Sequence, residues 1–116
     1  MSIDGDSIQR IARDTAAGLE GTEAGYPFTP RLRAYKSRGR VFLIVTEDPD
    51  EQIITVKADP HHADALVHDH DTITPGRYLD KRHWVSVGAG KGITASLVEA
   101  LVVGSYDLVS GQPGER

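Results

Sequence analysis

The sequence contains no cysteine. That absence excludes disulfides, thiolate metal sites and cysteine nucleophiles together. It also has no long apolar run. The longest, Val41-Phe42-Leu43-Ile44-Val45, is far short of the roughly 20 residues that cross a bilayer, so no membrane association is expected. The first residues, Met1-Ser2-Ile3-Asp4-Gly5-Asp6, have neither a basic region nor an apolar stretch. They do not read as a secretory signal, and a cytoplasmic location is the expectation. An excess of positive charge is missing too. The net charge is −4, whereas a dedicated non-specific DNA binder is usually basic, because phosphate neutralisation supplies most of its affinity.

The 116 residues suffice for one domain with one modest core. Their composition, 39% hydrophobic and 26% charged, is ordinary for a globular chain. The charge is unevenly distributed. Segment 31–40 carries Arg31, Arg33, Lys36, Arg38 and Arg40 with no acid, and segment 77–91 carries Arg77, Lys81, Arg82 and Lys91 against Asp80 alone. Nine of the 13 basic residues thus lie in 25 positions, and the remaining 91 positions hold four basic and 16 acidic residues. Distribution matters more than the sum for a binding surface.

Periodicity predicts a first helix capped by Asp6 or Ser7, with Ile8, Ile11, Ala12, Ala16 and Leu19 on one face and Gly21 as its stop. Tyr26-Pro27-Phe28-Thr29-Pro30 is too proline-rich for a central strand and reads as an edge or connection. Three strands follow, over 32–35, 40–46 and 52–57. Ser37-Arg38-Gly39 supplies the first turn and Glu47-Asp48-Pro49-Asp50 the second. Consecutive hairpins make this an antiparallel meander. Asp59-Pro60 reads as a cap and first helical residue for a short helix over 61–68. Thr74-Pro75-Gly76 reads as a turn. A strand over 83–87 would put Val85 and Val87 on one face, Trp84 and Ser86 on the other. A last helix starts at Thr94 or Ser96. The class is therefore α+β, an antiparallel sheet with the N- and C-terminal helices packed on one face. Residues 1–116 are expected to form a single domain, frayed at 1–6 and 111–116.

Several stretches fall into a recognisable order: Tyr26-Pro27-Phe28, Tyr35-Lys36, Gly39-Arg40-Val41-Phe42-Leu43 and Val56-Lys57-Ala58-Asp59-Pro60. Pro75-Gly76 with Lys81-Arg82-His83-Trp84 follows, and Ser105-Tyr106 closes the series. The chain resembles the MmcQ/YjbR family over about residues 7–110. The resemblance implies a CyaY-like fold, the fold also associated with frataxin. It implies a DNA-binding label that rests on likeness to a double-wing DNA-binding domain, and it implies no catalytic residues. Three positions depart from the pattern. Thr29 replaces glycine, Arg38 stands where an apolar residue is commoner, and Asp80 replaces asparagine.

Segment 31–40 is the leading functional candidate. A hairpin presenting five cations would track a phosphate backbone, with Tyr35 available for stacking. The competing reading of the same hairpin is a solvated edge guarded by charge against edge-to-edge pairing. Arg77, Lys81, Arg82 and Lys91 join the candidate nucleic-acid set. Trp84 is either a stacking or partner anchor or a core residue. The acidic remainder of the chain, with Trp84 or a tyrosine as anchor, supports an alternative reading as a protein-interaction adaptor. A weaker alternative is metal binding by His61, His62, His68 and His70, but the two histidine pairs sit at opposite ends of their helix, about 10 Å apart. No metal site, cofactor or catalytic residue is assigned. Gly88-Ala89-Gly90-Lys91-Gly92 fails the phosphate-loop motif, since glycine follows Lys91 and Val85 occupies the leading glycine's place. Nor is there a nucleophile elbow. The expectation is a non-enzymatic module contacting DNA mainly at phosphates.

Overall fold

The structure, a computed structural model, describes residues 2–76 and 79–110. Helix α1 (Gly5–Ala17) starts where the Asp4 side chain accepts a hydrogen bond from the Ser7 amide. The cap is Asp4, not the Asp6 or Ser7 expected, and the first helical residue, Gly5, lies close against Gln52. A Cβ on Gly5 would meet the Gln52 Cβ at 2.8 Å. Residues 3–6, expected to fray, are instead tied down, with the Ile3 amide bonded to the Ile93 carbonyl.

Strands β1 (Thr22–Gly25), β2 (Leu32–Ser37), β3 (Arg40–Thr46) and β4 (Ile54–Lys57) follow. Helix α2 (Pro60–Asp69), capped by Asp59, leads to β5 (Ile73–Pro75), β6 (Trp84–Val87) and helix α3 (Ala95–Ser110). Thr94 caps α3 by accepting from the Leu97 amide. The described strands form one antiparallel sheet in the order β1-β2-β3-β4-β6-β5. Two edges were not predicted. β1 is four residues with no apolar alternation, and β5 covers Thr74-Pro75, read above as a turn. Proline is tolerated there because β5 is an edge strand.

Register sorts the core. Leu43, Val56 and Val85 stand directly opposite one another, as do Val45, Ile54, Val87 and Ile73. These side chains are fully or almost fully buried with Ile8, Ala12 and Ala16 of α1 and Val98, Leu101 and Val102 of α3. α1 and α3 pack side by side over β3 and β4, while α2 rests on β5 and β6. The opposite face carries a row of smaller side chains, Ala34, Ile44, Thr55 and Ser86, joined by a 2.8 Å bond between the Thr55 and Ser86 hydroxyls. Among the described residues no helix is long and apolar enough to cross a membrane.

Candidate nucleic-acid interface

Strand polarity decides which cations meet. β2 ends and β3 begins at one end of the sheet, where Arg38-Gly39 form a two-residue turn closed by the Ser37–Arg40 pair. Neighbouring strands alternate in direction, so β4 finishes at that same end with Lys57 and β6 starts there with Trp84. Lys36, Arg38, Arg40, Lys57, Lys81 and Arg82 therefore gather at this turn end. Arg31 precedes β2 and Lys91 follows β6, which sends both to the far end. Arg77 lies outside the described residues.

The turn itself is unusual. Arg38 has φ 56° and Gly39 φ 78°. Both central residues of a type I′ hairpin turn need positive φ, which glycine and asparagine adopt easily. For a long side chain the conformation costs about 1 kcal/mol. Arg38 is the one non-glycine residue with positive φ among the described residues. No packing recovers that cost, since Arg38 is exposed.

Arg38, Arg40, Lys81 and Arg82 are exposed, and Lys36 and Lys57 are half-buried. Among the described residues no ion pair or side-chain hydrogen bond engages any of these six side chains. Of the acids nearby, Asp80 and Asp59 are engaged elsewhere. Asp80 accepts from the Arg82 amide at 2.9 Å and meets the His83 ring at 3.0 Å. Those bonds, the Arg82 amide first, hold its carboxyl below the usual aspartate range. Asp59 caps α2. Glu23 stands opposite Lys36 in register without pairing to it.

At the far end two of the three cations, Arg31 and Arg33, are engaged by partners within the chain. Arg31 pairs with Asp48 at 3.3 Å. The Arg33 guanidinium lies 5.7 Å from the Tyr26 ring centre and 5.4 Å from that of Tyr35. It donates to both hydroxyls, and Tyr26 donates in turn to Glu47. Those hydroxyl contacts, Tyr26 first, push its pKa further up, so Arg33 stays cationic at every accessible pH. Lys91 sits in a shallow recess beside Asp69, His70 and Asp71.

The expected five-cation hairpin is therefore divided, with Arg31 and Arg33 withdrawn from it. Tyr35 and Trp84, expected as stacking candidates, are 5% and 9% exposed and offer no free ring face. Lys57 was missed. It was visible as the end of a predicted strand, but its neighbours depend on the sheet order. The histidine alternative finds no support. No group of three or more metal-ligating side chains occurs among the described residues, and His68 simply meets its neighbour Asp69 at the surface.

A helix side chain stitches each end of the β3–β4 ladder. At the turn end the buried Ser105 hydroxyl donates to the Phe42 carbonyl at 2.6 Å and accepts from the Lys57 amide at 2.8 Å. At the far end the Gln9 amide donates to the Thr46 and Ile53 carbonyls. Tyr106, next to Ser105, packs edge-on against Phe42 and donates to the Glu20 carbonyl. Pro75-Gly76 and Trp84 are a structural pair too. The Gly76 amide donates to the Trp84 carbonyl, and a Cβ on Gly76 would meet the Trp84 Cβ at 2.6 Å.

Residues 17–108 match the family model described as YjbR. The chain belongs to the YjbR family. An Escherichia coli O157:H7 relative, "Uncharacterized protein YbdF", is 30% identical over 107 residues, 92% of this chain and 88% of that one. "Uncharacterized protein YjbR" of Escherichia coli K12 is 30% identical over 66 residues, 57% of this chain and 56% of its own. Among solved structures, Deinococcus radiodurans protein DR2400, with a DUF419 domain, superposes with a TM-score of 0.79 at 28% identity, covering 90% of this chain and 81% of that one. A Pseudomonas syringae protein shares the fold at a TM-score of 0.69 and 19% identity, over 83% of this chain and 93% of that one.

Proposed function

We propose that this protein is a non-catalytic DNA-binding module that contacts phosphates with the turn end of its sheet. The single observation that carries the reading is the unpaired set at that end: Arg38 and Arg40 on the hairpin, Lys57 beside them, and Lys81 and Arg82 before β6. Arg38 adds weight, because it occupies a backbone conformation that a smaller residue would adopt at lower cost. From β2 across β3 and β4 to β6 is three strand spacings, about 14 Å. That matches the roughly 12 Å width of a DNA major groove, so the hairpin and the 81–82 turn can reach phosphates on both sides of it. With Tyr35 and Trp84 buried, contacts at this end are to backbone rather than to bases, and sequence preference is low. A cytoplasmic location, where DNA is accessible, belongs to the same proposal.

Net acidity sets the strength. A chain with net charge −4 repels DNA at long range, so binding is weak and visible at low salt. Fluorescence anisotropy with a labelled duplex across a salt series tests this. Affinity should fall steeply with salt, by about 0.9 log units per contacted phosphate for each log unit of salt. No binding at low salt, or binding indifferent to salt, rejects the proposal.

A further inference from the structure

We propose that His83 is a further phosphate contact of the turn end, and that its imidazole donates to DNA only in the doubly protonated form. This contact rests on the DNA-binding reading above and adds a residue to it. His83 closes the 80–83 turn, its amide donating to the Asp80 carbonyl at 3.1 Å. Its own carbonyl accepts from the Ala58 amide at 2.9 Å, which ties it beside the end of β4 and Lys57. Lys81 and Arg82 directly precede it. Its side chain is 42% exposed.

The two ring nitrogens are in different situations. Nδ1 lies 3.0 Å from Asp80 Oδ2, and Asp80 Oδ1 is already taken by the Arg82 amide. Those bonds, the Arg82 amide first, keep Asp80 a carboxylate. A carboxylate only accepts, so Nδ1 carries the proton. Nε2, on the side of the ring away from Asp80, is engaged by no hydrogen bond among the described residues. In the neutral ring Nε2 presents a lone pair, which repels a phosphate oxygen. A second proton turns it into a cationic donor.

The charges around the ring sharpen the change. Asp80 is the single acid of segment 77–91. Beside a neutral imidazole it keeps its full negative charge among Lys57, Lys81 and Arg82. Beside an imidazolium that charge is cancelled. Asp59, on the other side of Ala58 from Lys57, is occupied as the cap of α2. His62 lines a cavity with Lys57 and Asp59 and is a second imidazole near this end. DNA that prefers the protonated ring also favours its protonation. The gain in affinity is therefore full at low pH and is lost as pH rises through the titration of the bound ring.

Fluorescence anisotropy with a labelled duplex at about pH 8 and about pH 5.5, either side of the range in which imidazoles titrate, is the test. For the wild type the fall in pH should tighten binding about tenfold at low salt. It should also steepen the slope of log affinity against log salt by about 0.9. His83→Gln should lose most of both changes, and His62→Gln should keep most of both. Asp80→Asn should bind more tightly than the wild type at the higher pH, and it decides if His83→Gln fails to fold. Salt-dependent binding with no pH response, or with a response unchanged in His83→Gln, overturns this contact and leaves the DNA-binding reading standing. So does an Asp80→Asn affinity equal to that of the wild type at the higher pH. No binding by the wild type at either pH removes both.

Discussion

At the end of the sheet where β2 begins, Arg31 is paired with Asp48 and Arg33 is held between Tyr26 and Tyr35. At the end where β2 turns into β3, no ion pair or ring contact engages Arg38 or Arg40 among the described residues, although Glu20 and Tyr106 line the same recess as Arg38. The four arginines lie within ten residues of sequence. A strand separates the pairs, and at about 3.3 Å per residue that is roughly 20 Å between the turn and Arg31. The internal pairs at the far end fix loops and an edge strand. The free cations at the turn end contribute nothing visible to folding, and one of them costs it backbone strain. Clustering along the chain is thus not clustering in space, and bound charge serves a different purpose from unbound charge.

That contrast can be broken at three places. The largest effect is expected at the seam that holds the turn end together. Ser105→Ala leaves the Phe42 carbonyl and Lys57 amide without their partner in a buried setting. Urea denaturation should show a loss of about 2–3 kcal/mol. Next comes Arg33→Met, which keeps an apolar stem but removes the guanidinium from both rings. It should cost about 1–2 kcal/mol of stability and leave DNA affinity unchanged. A fall in affinity as large as that of a turn-end variant would erase the distinction between the ends. The smallest effect has the opposite sign. Arg38→Asn relieves the positive φ and should raise stability by about 0.5–1 kcal/mol while weakening DNA binding. A variant that gained stability without losing affinity would mean that the strain serves no binding role.

Much of the fold was legible in the sequence because its signals are local. The β-branched run over 41–45, the Asp59-Pro60 cap and the Val85/Val87 alternation each specified an element, although the structure buries both faces of 84–87. The edges were not legible. β1 has two polar residues and a glycine in four, and β5 ends in proline; both are strands because a neighbouring strand offers a free edge, which no local pattern records. The candidate site was legible only in part, for the same reason. Arg38 and Arg40 are joined by a two-residue turn and could be paired by inspection. Their association with Lys57, Lys81 and Arg82 depends on β6 inserting beside β4, and the withdrawal of Arg33 depends on where Tyr26 lands.

The central claim is that the turn end, not the far end, meets DNA. The direct measurement is the salt dependence of duplex affinity for the wild type, the Arg38→Ala/Arg40→Ala pair and the Arg31→Ala/Lys91→Ala pair. Each pair removes the same formal charge, so net charge cannot explain a difference between them. The turn-end pair should reduce the slope of log affinity against log salt by about 2, and the far-end pair should leave it at the wild-type value. Equal slopes for the two pairs, or a loss confined to the far-end pair, would contradict the account.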